Sequence, residues 1–336
     1  MPAGATRPRE LRMLLEVKDL TKHYQVSRGG LLGAKATLKA VDGVSFSIAE
    51  GQTLGLVGES GSGKSTIGQM LLLQTPHTRG SIHFEGQDLH ALQRDYRAKL
   101  MGKIQVVFQD PYDCLNPKMR VGDIVAEPLR NLARLSAAEI DRQVAAVIEK
   151  VGLRPSDLRK FPHQFSGGQR QRIGIARAIS VKPRFIVMDE PVSALDVSVQ
   201  AQVINLLRDI QREDGVAYLF ISHNLAVVEH LSHRIAIVYL GRIVEVLDSQ
   251  SLNSAAVHPY TLSLIDAIPV PDPERVRTDL RLHGEIPSAM DLPRGCAFQA
   301  RCAYAQDRCR QETPALQDLG AGHQVACHFH TLTRAG

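Results

Sequence analysis

Leu54-Gly55-Leu56-Val57-Gly58-Glu59-Ser60-Gly61-Ser62-Gly63-Lys64-Ser65-Thr66 decides the reading of this chain. A short apolar run, read as a strand, leads into G-x-x-x-x-G-K-[ST] with a helix to follow, the context that pattern requires. The glycines let successive backbone N–H groups turn inward around a phosphate, and the helix opening behind them adds the positive end of its dipole. Lys64 is expected to reach the β- and γ-phosphates of a nucleotide, the Ser65 hydroxyl to ligate Mg²⁺, and Thr66 to make a further phosphate contact. Gly58, Ser60, Gly61 and Gly63 complete the cradle. The competing reading is a Gly-rich turn that holds nothing; the strand, the lysine and the hydroxyl together argue against it.

Downstream, Phe185-Ile186-Val187-Met188-Asp189-Glu190 ends an apolar strand in two carboxylates. A buried strand thus delivers acids to the carboxyl edge of a sheet, where open α/β sheets bind ligands. Asp189 is expected to hold Mg²⁺ and Glu190 to orient or deprotonate an attacking water. FIVMDE and AYLFIS (217–222) lack polar alternation, as buried parallel strands do. LLEVKDL (14–20) and AVDGVSFSI (40–48) alternate, as half-exposed strands do. AAEIDRQVAAVIEKVGL (137–153) has helical spacing with Gly152 suited to its end. Strands alternating with helices predict an α/β core. Pro269, Pro271, Pro273, Pro287 and Pro293 exclude a single helix there and read as a connector into a small C-terminal unit.

The 336 residues are 44% hydrophobic and 22% charged, which excludes a largely disordered chain. The longest apolar runs, such as Ile235–Leu240, fall far short of the roughly 20 residues of a membrane span. No secretory leader is expected behind the basic N-terminus. A net charge of +5 and the absence of Trp do not call for a nucleic-acid partner.

With Phe165-Ser166-Gly167-Gly168-Gln169-Arg170-Gln171-Arg172 the sequence resembles the ABC ATPase family, whose signature is SGGQ. The resemblance covers about residues 14–250. It implies a P-loop NTPase of ABC type: a RecA-like α/β core, an antiparallel β subdomain and a helical subdomain at about 116–165, together 13–265. Gln109, in VVFQDP, matches the Q-loop glutamine that senses Mg²⁺ and water. Asp196, in SALD, matches the D-loop. His223 matches the switch histidine on the γ-phosphate. Tyr24 sits where the family has an aromatic on adenine, with His23 as the alternative. In the family, Ser166, Gly167, Gly168 and Gln169 face the triphosphate held by the opposite subunit, so the resemblance implies two ATPase subunits and weak turnover by one chain alone. The catalytic set it implies is Glu190, His223 and Gln109, with ATP and Mg²⁺.

His258-Pro259-Tyr260-Thr261 and the tail around Pro293-Arg294-Gly295-Cys296-Ala297-Phe298 resemble the ATP-binding subunits of dipeptide and oligopeptide importers. As an isolated tetrapeptide, HPYT reads equally as a helix start with Pro at its first position. Residues 266–336 are expected to form an extension whose Cys296, Cys302, Cys309 and Cys327 follow C-x5-C-x6-C-x17-C. Four thiolates can hold zinc or iron–sulfur, or can merely pack; the tight C-x2-C knuckles of zinc sites are absent. Some members of the subfamily carry a [4Fe–4S] cluster here, and that is the preferred reading. Cys114 reads as an ordinary residue near the Q-loop. The resemblance implies two membrane permease subunits, docked near Tyr112, Asp113 and the 116–165 helices, a related second ATPase subunit and an extracytoplasmic peptide-binding protein. The place the resemblance implies is the cytoplasmic face of the inner membrane. Nickel or another small solute as cargo, and a non-transport ABC assembly or repair ATPase, are the alternatives.

Overall fold

The computed structural model describes residues 12–27, 35–92, 100–110, 114–268 and 287–332. The expected docking residues Tyr112 and Asp113, and Pro269, Pro271 and Pro273 of the connector, lie outside the described residues.

β1 (Met13–Ser27) pairs antiparallel with β2 (Lys35–Ala49) and with β4 (Arg79–Phe84), to which the short β5 (Gln87–Asp88) is added, giving the order β2-β1-β4-β5. Leu15 and Val17 are buried while Glu16 and Lys18 are not, as the alternation predicts. The inner face of this sheet packs on Ile67, Met70 and Leu71 of the helix Lys64–Leu71 and on Leu54 and Leu56.

The second sheet is built around β3 (Thr53–Val57), buried at all five positions. It lies in a parallel run with β9 (Arg234–Tyr239) on one side and β8 (Ala217–Ser222), β7 (Phe185–Asp189) and β6 (Ile104–Val107) on the other. Both faces are covered, which is why these strands read as unbroken apolar runs. The helical segment comprises Val121–Leu132, Ala137–Lys150 and two short 3₁₀ turns, and it packs on the helix Gly167–Ile179. Ser136 starts its second helix with a reciprocal cap: Glu139 N–H donates to Ser136 Oγ, and Ser136 N–H to Glu139 Oε2 at 2.8 Å. Gly152 follows that helix in the left-handed region, φ 74°.

Past β9 the sheet turns antiparallel. β10 (Arg242–Asp248) is followed in space by β12 (His323–Val325) and β11 (Gln317–Gly320), so the C-terminal segment extends the sheet that carries β3. The join is secured by Glu245, fully buried in β10, which accepts from Val257 N–H at 2.8 Å, His258 N–H at 3.2 Å and His323 Nε2 at 2.9 Å. Burial pushes this carboxyl up, but the bonds from His323 and the Val257 backbone outweigh it and hold it below the ordinary carboxylate range.

Candidate functional site

The strand order β3-β8-β7-β6 brings the sequence-predicted groups to one edge. The loop 58–63 follows β3, His223 follows β8, Asp189 and Glu190 close β7, and Gln109 lies two residues past β6. Parallel strands all discharge their following residues at the same edge.

The phosphate loop is shaped by close backbone approach. Gly63, at φ 100°, is the N-cap of the helix Lys64–Leu71, and a Cβ there would lie 2.2 Å from the Ala40 carbonyl oxygen. At Gly58 a Cβ would lie 2.1 Å from the Val238 carbonyl oxygen. Lys64 Nζ donates to the carbonyls of Gly58 (2.7 Å) and Glu59 (2.9 Å) and to Ser62 Oγ (3.3 Å). The ammonium is therefore held by the loop's own carbonyls and the Ser62 hydroxyl. Burial pulls its pKa below the ordinary lysine value, against the opposing carboxylates of Glu190, Asp189 and Glu59. Ser60, Gly61 and Ser65 are exposed at the mouth, and Thr66 is half-buried behind them.

Ser65 Oγ donates to Asp189 Oδ1 at 3.0 Å. Burial pushes Asp189 above its ordinary value; the Ser65 bond opposes this and the neighbouring Glu190 adds to it. A hydroxyl and a carboxylate set side by side fit Mg²⁺, which takes few protein oxygens and completes its shell with water and substrate phosphate. Glu190 is held in the left-handed region at φ 46°. Its N–H donates to the Ile221 carbonyl at 2.9 Å, and its own carbonyl accepts from Ser193 Oγ at 3.1 Å. Its carboxylate lies between Gln109 Nε2, 3.3 Å from Oε2, and His223 Nδ1, 3.2 Å from Oε1. Gln109 and His223 thus meet on Glu190, with Asp189 and Lys64 beside it.

The SGGQ residues occupy a different helix start. Ser166 caps Gly167–Ile179: its Oγ accepts from Gln169 N–H, and its N–H donates to Gln169 Oε1 at 3.1 Å. Gly167 and Gly168 lie against Leu195 and Val199. Asp196 caps the helix Val197–Asp214, accepting from Val199 N–H at 3.0 Å and Ser198 Oγ at 2.7 Å, with its carboxyl lowered by the Ser198 bond. Tyr24 is half-buried on β1 with Lys22 Nζ 4.7 Å from its ring centre. His23, the alternative, is bound through Nε2 to Asp42 Oδ1 at 3.0 Å, and Arg242 holds the same carboxylate at 2.7 Å.

The tail cysteines converge. Cys296, Cys302, Cys309 and Cys327 line one apolar cavity together with His258, Phe298, Tyr304 and Phe329. All are free thiols. Burial pushes Cys296 up to about 12 and Cys302 up to about 11, and raises Cys327. Among the described residues no three His, Cys, Asp or Glu side chains are disposed to hold a metal ion as they stand. Four soft sulfur donors around one cavity suit a metal centre in number and type. Cys114 packs against the main core, its carbonyl accepting from Arg177 at 2.8 Å.

Sequence reasoning did not single out Glu59, Arg301 or Glu245. Glu245 had a signal, one acid in the apolar run Ile243–Leu247. HPYT has a structural part: His258 Nδ1 accepts from Tyr260 N–H at 3.1 Å and caps the helix Pro259–Asp266. Complete burial pushes His258 down to about 4, so the ring is neutral and free to accept at neutral pH.

The ABC transporter family matches residues 41–193, and the family described as oligopeptide/dipeptide transporter, C-terminal region, matches residues 244–309. A probable peptide ABC transporter ATP-binding protein of Sinorhizobium fredii is 48% identical over 96% of this chain and 91% of its own length. A di/tripeptide transport ATP-binding protein of Pseudomonas aeruginosa is 46% identical over 95% of this chain and 98% of its own. Among solved structures, an ATP-binding cassette in a dimeric post-hydrolysis state bound to ADP and Pi is 27% identical, with a TM-score of 0.62 over 70% of this chain and 99% of that chain. No helix among the described residues is long and apolar enough to cross a membrane.

Proposed function

This chain belongs to the ABC transporter family as an ATP-binding subunit of the oligopeptide and dipeptide type, and from that premise we propose that it powers peptide uptake through two separate membrane permease subunits. The observation that carries the reading is the meeting of Lys64, Ser65, Asp189, Glu190, Gln109 and His223 at one sheet edge. Water attacks the γ-phosphorus, the bond to the β,γ-bridging oxygen breaks, and ADP and phosphate leave. Glu190 takes the proton of the attacking water. Gln109 and His223 hold Glu190 and the γ-phosphate in line, Lys64 neutralises β- and γ-oxygens, and Tyr24 stacks on adenine. Ser65, Asp189 and Gln109 would hold Mg²⁺, which would supply charge withdrawal from the phosphates. Positioning and charge stabilisation supply most of the rate in such transfers.

The second half of each site comes from Ser166, Gly167, Gly168, Gln169 and Asp196 of the opposing ATPase subunit, a related chain. The division of labour is nucleotide binding in 13–265 and the importer-specific extension in 266–336. The permeases dock beside the Q-loop and the helical segment 116–165, a peptide-binding protein delivers cargo outside, and the chain works at the cytoplasmic face of the inner membrane. Copurification from solubilised membranes with two permeases, and hydrolysis that rises when peptide-loaded receptor is added, is the expected result. Full turnover by the lone chain, indifferent to permeases, would contradict it.

For the tail, the proposal is a [4Fe–4S] cluster with a structural role on Cys296, Cys302, Cys309 and Cys327. The support is four sulfurs around one apolar cavity, which would hold the cluster. Protein purified without oxygen is expected to absorb broadly near about 400 nm. A colourless, iron-free and fully folded sample would defeat this reading.

A further inference from the structure

The C-terminal segment meets the phosphate loop at Glu59. Arg301 Nη1 and Nη2 donate to the two Glu59 carboxylate oxygens at 2.7 and 3.0 Å, a bidentate fork, and Nη1 also lies 3.5 Å from the Tyr239 hydroxyl. The Tyr260 hydroxyl accepts from Glu59 N–H at 2.9 Å. The Glu59 carbonyl is one of the two that store the Lys64 ammonium. One loop residue is therefore held at its N–H, its carboxylate and its carbonyl, the first two from residues more than 200 positions away.

The contact is a built one. The Arg301 side chain is 6% exposed and Glu59 24%. Tyr239, Tyr260 and Phe298 pack ring on ring beside it, with Tyr239 and Tyr260 centroids 4.8 Å apart. Arg301 closes the short turn Gln299–Arg301 that begins next to Phe298. Planar, fork-to-fork pairing fixes orientation as well as charge.

A carboxylate in a phosphate loop opposes a triphosphate. Arg301 cancels that charge, and Tyr260 holds the Glu59 backbone, whose carbonyl accepts from Lys64. We propose that Arg301 and Tyr260 are positioning residues of the nucleotide site, through which the C-terminal segment neutralises and clamps Glu59 and so sets the affinity of the loop for ATP. The proposal rests on the reading of this loop as the nucleotide site.

The test is ATP binding with Mg²⁺ to the full-length chain by calorimetry, below the melting temperature of each variant. Arg301→Gln is expected to raise Kd about tenfold, because it exposes the triphosphate to an uncompensated carboxylate. Glu59→Gln alone is expected to change Kd less than about threefold, and Arg301→Gln in the Glu59→Gln background to bind within about threefold of the parent. Arg301→Lys, which keeps charge and loses the fork, is expected to fall between. This rescue is what a merely structural arginine would not show. A Kd for Arg301→Gln within about twofold of the parent overturns the proposal, as does a full penalty that persists with Glu59→Gln. If Arg301→Gln does not fold, Tyr260→Phe and Arg301→Lys decide, and unchanged affinity in both overturns it. Failure of the unaltered chain to bind ATP would instead overturn the functional reading itself.

Discussion

Glu190→Gln is expected to cut ATP turnover roughly 10²- to 10⁴-fold while leaving ATP bound, the range by which a positioned general base contributes. The variant tests chemistry rather than architecture. Glutamine is isosteric, and it enters the same left-handed backbone, φ 46°, with no more strain than glutamate. The Gln109 amide at 3.3 Å can still donate to the new side-chain oxygen, so that contact keeps a partner. What is lost is the ability to take a proton from water. ATP then persists between the subunits, and the closed dimer should accumulate in sedimentation velocity runs with ATP. Undiminished phosphate release by the assembled transporter would remove Glu190 from the role of base.

Lys64→Ala is expected to weaken ATP binding by about 10- to 100-fold, since a hydrogen bond to a charged group contributes about 1.5–3 kcal/mol and each 1.4 kcal/mol is tenfold. Two losses combine. The triphosphate loses its counter-charge, and the carbonyls of Gly58 and Glu59 lose their lysine donor. The second loss leaves two loop carbonyls without that partner. Calorimetric titration with ATP measures the sum. Affinity within about twofold of the parent would show that the lysine is not aimed at phosphate.

Much of the site was legible because short spacing dictates it. A strand, four intervening residues, Gly-Lys-Ser and a helix leave one geometry, and FIVMDE had to end at a sheet edge. SGGQ was legible twice over, as a family signature and as a helix cap, and Ser166 caps a helix. Other features depend on partners far away in the chain. His23, the alternative adenine contact, is bonded to Asp42, whose carboxylate Arg242 also holds from 200 positions away, a partnership that the sequence does not announce. The hairpin Gln317–Val325 read as part of a separate tail, yet it adds to β10, because the unpaired edge of β10 is invisible in sequence. β4 and β5 lie past the helix that follows the phosphate loop and carry no motif that announces them. Glu59 and Arg301 sit 242 residues apart, and neither residue type nor spacing announces the pair.

The central claim is that each ATP is shared by two subunits, and the position of the nucleotide in the assembled transporter carrying Glu190→Gln measures it. A cryo-electron microscopy map of that complex with ATP and Mg²⁺ is expected to show each triphosphate gripped by the loop 58–66 of one subunit and capped by the SGGQ helix of the other. A triphosphate contacted by one polypeptide alone, with both SGGQ helices facing solvent, would contradict it.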